Sequence, residues 1–254
     1  MMVTVLDISG RKKIEKYLAE RIELDHFLSV LSTALVTYQK SDYHSALAMA
    51  ATIIGDFLKN ALVTVLKYDN QQHELELLTG WTKDGSSLPE NFKLKIAKLT
   101  QFRQKYEKKE ILTFSNFLDD ESSIVPEHSY FHEQKFKSLT FIPIVCNNII
   151  FGSLFLACKR ESHWKGSVVN VLKTAAETMA IFIDRKKIED RLLKSEQRFR
   201  GVFENSPMGM YRILPQGEIV MANPALLKML EVDSLEQLSE EKRNLIIKEE
   251  GYVR

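Results

Sequence analysis

Two histidines stand four positions apart with a carboxylate beside each: Glu127-His128 and His132-Glu133. On a helix that spacing sets both imidazoles on one face, as two-histidine metal sites require. The order is Glu-His-x-x-x-His-Glu rather than HExxH, and Pro126 unsettles the start of any helix there. Surface histidines on a loop are therefore expected, and no metal site. Asp119-Asp120-Glu121 resembles a divalent-cation cluster, but three consecutive acids cannot all converge on one ion from an extended chain. Solvated loop charge is the expectation. His26 and His44 stand alone on helical stretches and read as surface or interfacial groups. Cys146 and Cys158 are the two cysteines. They cannot build a disulfide framework and are too few for a four-thiolate zinc site. No basic neighbour lowers the Cys146 thiol, so an inert residue is expected. No Ser/His/Asp order, Cys/His pair or phosphate loop is present, so no catalytic residue and no cofactor are predicted.

The charge balance narrows the partners. Lys+Arg number 35 against Asp+Glu 34, a net charge of +1. Such a chain carries no excess field for nucleic acid or an anionic membrane, and neither is expected as a partner. Ten Gly and six Pro in 254 residues exclude collagen-like and low-complexity classes. Residues 1–8 show no basic leader before an apolar run, so no signal peptide is expected. Residues 46–54 form an apolar stretch that Asp56 and Lys59 interrupt, short of the about 20 residues a membrane helix needs. The reading is cytoplasmic and reduced, with any membrane anchor in another part of a longer chain.

The elements that must position these residues follow from periodicity. Ile14, Leu18, Ile22, Leu24, Phe27, Leu28, Leu31 and Leu35 recur at helical steps over 11–38. Ser41-Asp42 can cap a second helix over 43–59. Residues 61–68 are β-rich, 69–72 break as a turn, and 73–82 alternate as a half-buried strand. A third strand is predicted over 92–99, a polar helix over 101–110 and a short strand over 111–117. Residues 118–137 are irregular, closing in a short helix from Ser129. Two strongly apolar strands, 139–145 and 149–158, flank Asn147-Asn148, which tolerate positive φ as a hairpin turn does. From Trp164 to about Phe203 no proline intervenes, which predicts a helix of up to about 40 residues. Hairpin-length links imply an antiparallel sheet. The long terminal helices should cover one face, leaving the other to 118–137 and the connection between the second and third strands. One repeat stands out: Arg11-Lys12-Lys13-Ile14-Glu15 recurs as Arg185-Lys186-Lys187-Ile188-Glu189, 174 positions later. Both copies open charged amphipathic helices, with room for one compact domain between them.

These residues resemble a known arrangement. Leu139-Thr140-Phe141-Ile142-Pro143-Ile144-Val145, then Phe151-Gly152-Ser153-Leu154-Phe155-Leu156, is similar to the GAF-domain hairpin, and residues 168–183 resemble the GAF C-terminal helix. Residues 3–15 resemble the end of a PAS domain, where a strand finishes in Asp-Ile-Thr and a basic helix follows; Ser9 stands in the threonine place. Residues 196–230 resemble a PAS start, with Glu204-Asn205-Ser206-Pro207-Met208-Gly209-Met210 before a first strand. The implied class is α+β: a GAF-like antiparallel six-stranded sheet with helices on both faces, long signalling helices at both ends and a partial PAS at the C-terminus. The implied organisation is the end of a PAS domain at 1–10, a linker helix at 11–23, a GAF domain at 24–185, a signalling helix at 186–204 and the first half of a PAS domain at 205–254.

The resemblance also implies a pocket. Trp81, Phe92, Phe117, Tyr130, Phe131, Phe136 and Phe141 gather around it, with Thr140 and Ser153 as polar anchors for an unidentified small molecule. Bilin-carrying relatives attach through a cysteine near the pocket helix, and 118–137 has none. The Asn-Lys…Phe…Asp-Glu pattern of cyclic-nucleotide-binding relatives is not matched. Such arrays belong to sensor histidine kinases and sometimes diguanylate cyclases. Here no phosphoacceptor His-Glu helix, nucleotide lid or GGDEF-like motif occurs, so the segment is expected to sense and relay rather than catalyse. The alternative is a spacer that holds no ligand. Ile181, Ile188, Leu192 and Phe199 recur at seven, four and seven, a coiled-coil seam that predicts a parallel homodimer beside neighbouring PAS and output domains.

Overall fold

The computed structural model describes residues 9–38, 42–59, 62–82, 89, 91–115, 129–159, 164, 166–215 and 218–237. The chain divides into two compact units, Met1–Lys187 and Ile188–Arg254.

The first unit opens with two helices, α1 (Ser9–Thr37) and α2 (Tyr43–Leu58). Asp42 caps α2, accepting the backbone N–H groups of His44 and Ser45, two of the donors a helix start leaves orphaned. Lys59 turns the chain out of it at φ 63°. Strands β1 (Leu62–Asp69) and β2 (Glu74–Trp81) follow. Their turn is held by Asp69 Oδ1, which accepts from Gln71 and Gln72 N–H. Next come β3 (Lys93–Lys95), α3 (Thr100–Glu107), β4 (Leu112–Phe114) and α4 (Ser129–Glu133), then the long hairpin β5 (Ser138–Cys146) and β6 (Ile149–Cys158). Asn147 and Asn148 turn that hairpin at φ 48° and 65°, both positive, as a two-residue hairpin loop demands.

The six strands form one antiparallel sheet in the order β3-β2-β1-β6-β5-β4. Side-chain alternation sorts its residues between two cores. On one face Val63, Val65, Ile142, Ile144, Leu154 and Leu156 pack against Leu31, Leu47, Ile54, Leu172 and Met179 of α1, α2 and α5 (Gly166–Asn205). On the other, Leu66, Leu139, Phe141 and Phe155 pack against Phe102, Tyr106 and Phe131 of α3 and α4. Covering of this second face by α3 goes beyond the sequence expectation, which left it to 118–137 and the β2–β3 connection.

Two bulges shift the alternation. Leu66 pairs with Leu77 and Val65 with Thr79, so Leu78 is an extra residue in β2. Ile144 pairs with Gly152 and Val145 with Ile150, so Phe151 is extra in β6. Gly152 is required there: a Cβ on it would lie 1.9 Å from Leu66 O. The third strand is shorter than the predicted 92–99. Burial still alternates through Phe92, Leu94 and Ile96, but its partner β2 begins at Glu74 opposite Lys95, and Ile96 N–H instead reaches His73 O at 3.0 Å.

In the second unit, β7 (Tyr211–Ile213) pairs with β8 (Ile219–Ala222), followed by α6 (Pro224–Met229) and a 3-10 turn, Leu235–Gln237. Asn223 organises it from a fully buried position. Its Oδ1 accepts from Met210 N–H at 2.8 Å and Leu226 N–H at 2.9 Å, and its Nδ2 donates to Met208 O at 2.8 Å. One side chain thus caps α6 and anchors the approach to β7.

Candidate functional site

The second face of the sheet is an aromatic surface. Phe102 and Phe141 meet edge to face at 5.1 Å, while Phe141–Phe155 at 4.6 Å and Phe131–Phe155 at 5.5 Å are tilted pairs. Phe92 reaches Phe131 at 5.7 Å, and Tyr130 reaches Phe136 at 6.3 Å. These separations fall in the range that aromatic pairs favour. Phe102, Tyr106, Phe131, Phe141 and Phe155 are fully buried. Polar atoms are sparse. Ser153 Oγ lies 3.3 Å from the carbonyls of Ile142 and Leu154, to either of which it can donate. Among the described residues, the buried Thr64 Oγ1 and Tyr106 OH have no partner within hydrogen-bond geometry. Burial raises the Tyr106 hydroxyl well above its ordinary value, with Ser153 opposing the shift.

A polar rim closes the β1–β2 end. Tyr68 OH lies 2.9 Å from His73 Nδ1, which is 3.6 Å from Glu107 Oε1. Arg103 Nε stands 3.8 Å from the same carboxylate oxygen. Burial raises the Tyr68 hydroxyl, and the Glu107 charge adds to it. These contacts tie the last turn of α3 to the β1–β2 turn.

Of the predicted pocket residues, Tyr130, Phe136 and Phe141 come together on this face with Phe92 and Phe131. Ser153 alternates with Leu154 and lies on it as well. Trp81 packs in the helix-face core instead, against Gly55 of α2, where a Cβ would lie 2.0 Å from its ring. The Leu78 bulge causes this, because one extra residue reverses which face the following side chains meet. Thr140, between Leu139 and Phe141, points to the helix face and meets Thr113 Oγ1 at 3.3 Å. Phe117 lies outside the described residues, as do Glu127, His128 and the acids 119–121. His132 and Glu133 are exposed, as are His26 and His44. Phe102, Tyr106 and Phe155 were not among the predicted pocket residues; the first two were legible as an i, i+4 aromatic pair within a polar helix.

Both cysteines belong to the helix-face core. Cys146 Sγ donates to Ala180 O of α5 at 3.6 Å. Cys146 and Cys158 sit near opposite ends of the hairpin, opposite Ile149 and Ser138. Burial pushes each thiol up to about 11. Among the described residues no group of His, Cys, Asp and Glu could hold a metal ion. The seam candidates Ile181, Ile188, Leu192 and Phe199 are all exposed on α5. In the second unit, a groove of about 540 Å³ is lined by Glu196, Phe199, Phe203, Met221 and Leu227.

Comparison with known proteins adds two results. A PAS-domain family model matches residues 197–250. Among solved structures, the phycocyanobilin-bound GAF domain of a cyanobacterial phytochrome is 11% identical with a TM-score of 0.55, over 65% of this chain and 96% of that one. The six-stranded unit has the GAF fold. A bacteriophytochrome from the photosynthetic bacterium R. palustris gives 14% identity and a TM-score of 0.57, over 71% of this chain and 41% of that one; the match thus spans about two fifths of the bacteriophytochrome. Free methionine-R-sulfoxide reductase from Neisseria meningitidis gives 12% and 0.53, over 65% and 91%. No curated protein matches in sequence.

Proposed function

We propose that this chain is the sensory and signal-relay region of a cytoplasmic signal-transduction protein, a multi-sensor histidine kinase in its full form. A change at the GAF core passes through dimeric helices to neighbouring PAS and output domains. The observation that carries this reading is the character of α5. Its first half is rooted in the core through Leu172, Ala175, Ala176, Met179 and Ile183, while Ile181, Ile188, Leu192 and Phe199 stand exposed at seam spacing. By length and composition alone α5 is long and apolar enough to cross a bilayer, but 44% of its apolar window is buried inside the fold. A core helix accounts for that apolarity without a membrane.

The segment itself is read as non-enzymatic, with no metal or bound cofactor. One structural neighbour is a reductase. Thiol chemistry needs thiolate, and both cysteines here are held protonated by burial. Both also lie on the helix face, away from the aromatic surface where a tethered chromophore would sit. A diguanylate cyclase output is the alternative for the full protein. For the GAF core the alternative is a spacer without ligand, favoured by the interlocked rings that already occupy the aromatic face.

Sedimentation of the purified chain at micromolar concentration tests the relay. A dimer is expected, and Ile188→Asp should dissociate it. A monomer, or a dimer indifferent to that substitution, rejects the dimeric relay.

A further inference from the structure

The bulge in β6 decides which core receives Phe151. Ser153 lies on the aromatic face, so an unbroken alternation would put Phe151, two residues before it, there too. Phe151 is instead the extra residue, and it turns to the helix face, where it is 8% exposed. Ile150, just before it, packs against the aromatic cluster. A bulge re-aims a single side chain in this way.

On the helix face the Phe151 ring has partners from two helices. Tyr43, the first residue of α2, meets it near the perpendicular, with ring centres 6.2 Å apart. Lys187 of α5 sets its Nζ 4.8 Å from the ring centre, within cation–π reach. The adjacent end of the hairpin is engaged by the same stretch of helix. Burial is the main cause of the raised Cys146 thiol; Asp184 adds to the shift and Lys187 opposes it, so both charges of α5 act at that end. Lys187 is also where α5 changes character. Lys186 is 7% exposed and Ile188 60%, and the first compact unit ends at Lys187.

We infer that the β6 bulge is a clamp that ends the core-bound half of α5. Phe151 and Lys187 are its positioning residues. Their contact, braced by Tyr43, holds the turn at 184–187 against the hairpin and keeps Cys146 covered. That this turn governs what α5 hands on rests on the relay reading; the clamp itself does not.

Cys146 is the reporter, and Cys158, at the far end of the hairpin, its control. Labelling of the whole chain by a thiol-specific dye at pH 8 is followed at each cysteine by peptide mass analysis. Lys187→Gln keeps part of the stem and removes the charge. It should speed labelling of Cys146 about two- to five-fold, the range that a single cation–π contact supports, and leave Cys158 unchanged. Electrostatics alone has the opposite sign, because losing a cation that favours the thiolate would slow the reaction. Lys187→Arg should keep the original rate, since a guanidinium also sits over a ring. Phe151→Leu should speed Cys146 at least as much as Lys187→Gln does. The double variant should match Phe151→Leu alone, because ring and cation act through one contact. An unchanged or slower Cys146 in Lys187→Gln overturns the clamp, as does an equal rise at both cysteines in that variant or a double variant that multiplies the single effects. Each of these leaves the sedimentation test of the relay untouched, and a monomeric chain rejects the relay while leaving the clamp standing.

Discussion

At the scale of single residues, the buried polar atoms are the informative ones. Among the described residues, Tyr106 OH and Thr64 Oγ1 have no hydrogen-bond partner in an aromatic core, where an unmade hydrogen bond costs stability. Tyr106→Phe should therefore leave the chain within about 1 kcal/mol of its original stability, or more stable, in urea unfolding. A larger loss would mean that the hydroxyl is bonded. The cysteines carry a sign. Their folded values stand at about 11, above the ordinary value of 9.0. A raised value means that their contribution is fully present below about pH 9 and is lost as pH rises toward 11. Both thiols should resist a thiol-specific dye at pH 8 and react within minutes once the chain is unfolded. Rapid labelling of the native chain would contradict this burial. What the sequence tells at this scale is uneven. The Asn147-Asn148 turn and the Asp42 cap are legible because each rests on local chemistry. The face met by Trp81 is not, because it depends on where β2 takes its extra residue.

Elements explain the same unevenness. Strands β5 and β6 are readable because nearly every position is buried on one face or the other, which leaves a continuous apolar run. Helix α3 hides its role, with only Phe102 and Tyr106 turned inward from an otherwise polar helix. The third strand is overestimated because alternation outlasts its ladder partner. Of the sheet's described glycines, Gly152 leaves a Cβ the least room, where β6 meets β1. Gly152→Ala should cost at least about 2 kcal/mol, since a Cβ would collide with backbone that no rotamer change can move. A melting temperature unchanged by that substitution would show that the bulge can relax.

For the whole molecule, the two units differ in how much core each builds. Among the described residues, the first has two extensive clusters on either side of a sheet, while the second has a small one around Leu226. A two-stranded ribbon with one short helix is marginal in water. Amides of 211–222 should exchange with deuterium much faster than those of 138–158 under native conditions. Equal protection would show that the second unit is as stable as the first. The GAF fold was legible because a single hairpin and one long helix carry most of its signal. The PAS match at 197–250 was legible from its first strand and the Asn-Pro helix start, whose buried asparagine binds three backbone groups.

One wall serves two rooms in the first unit, and that has a consequence for how such a chain changes over generations. Along β5, Leu139 and Phe141 answer to the aromatic side, while Ile142 and Ile144 answer to the helices. Neighbouring codons are thus under different selection. Accepted changes at 139, 141 and 155 should be offset at 102 or 131, and those at 142, 144 and 154 at 47, 54 or 179. The two groups can drift separately because the backbone between them is common to both and yields to neither.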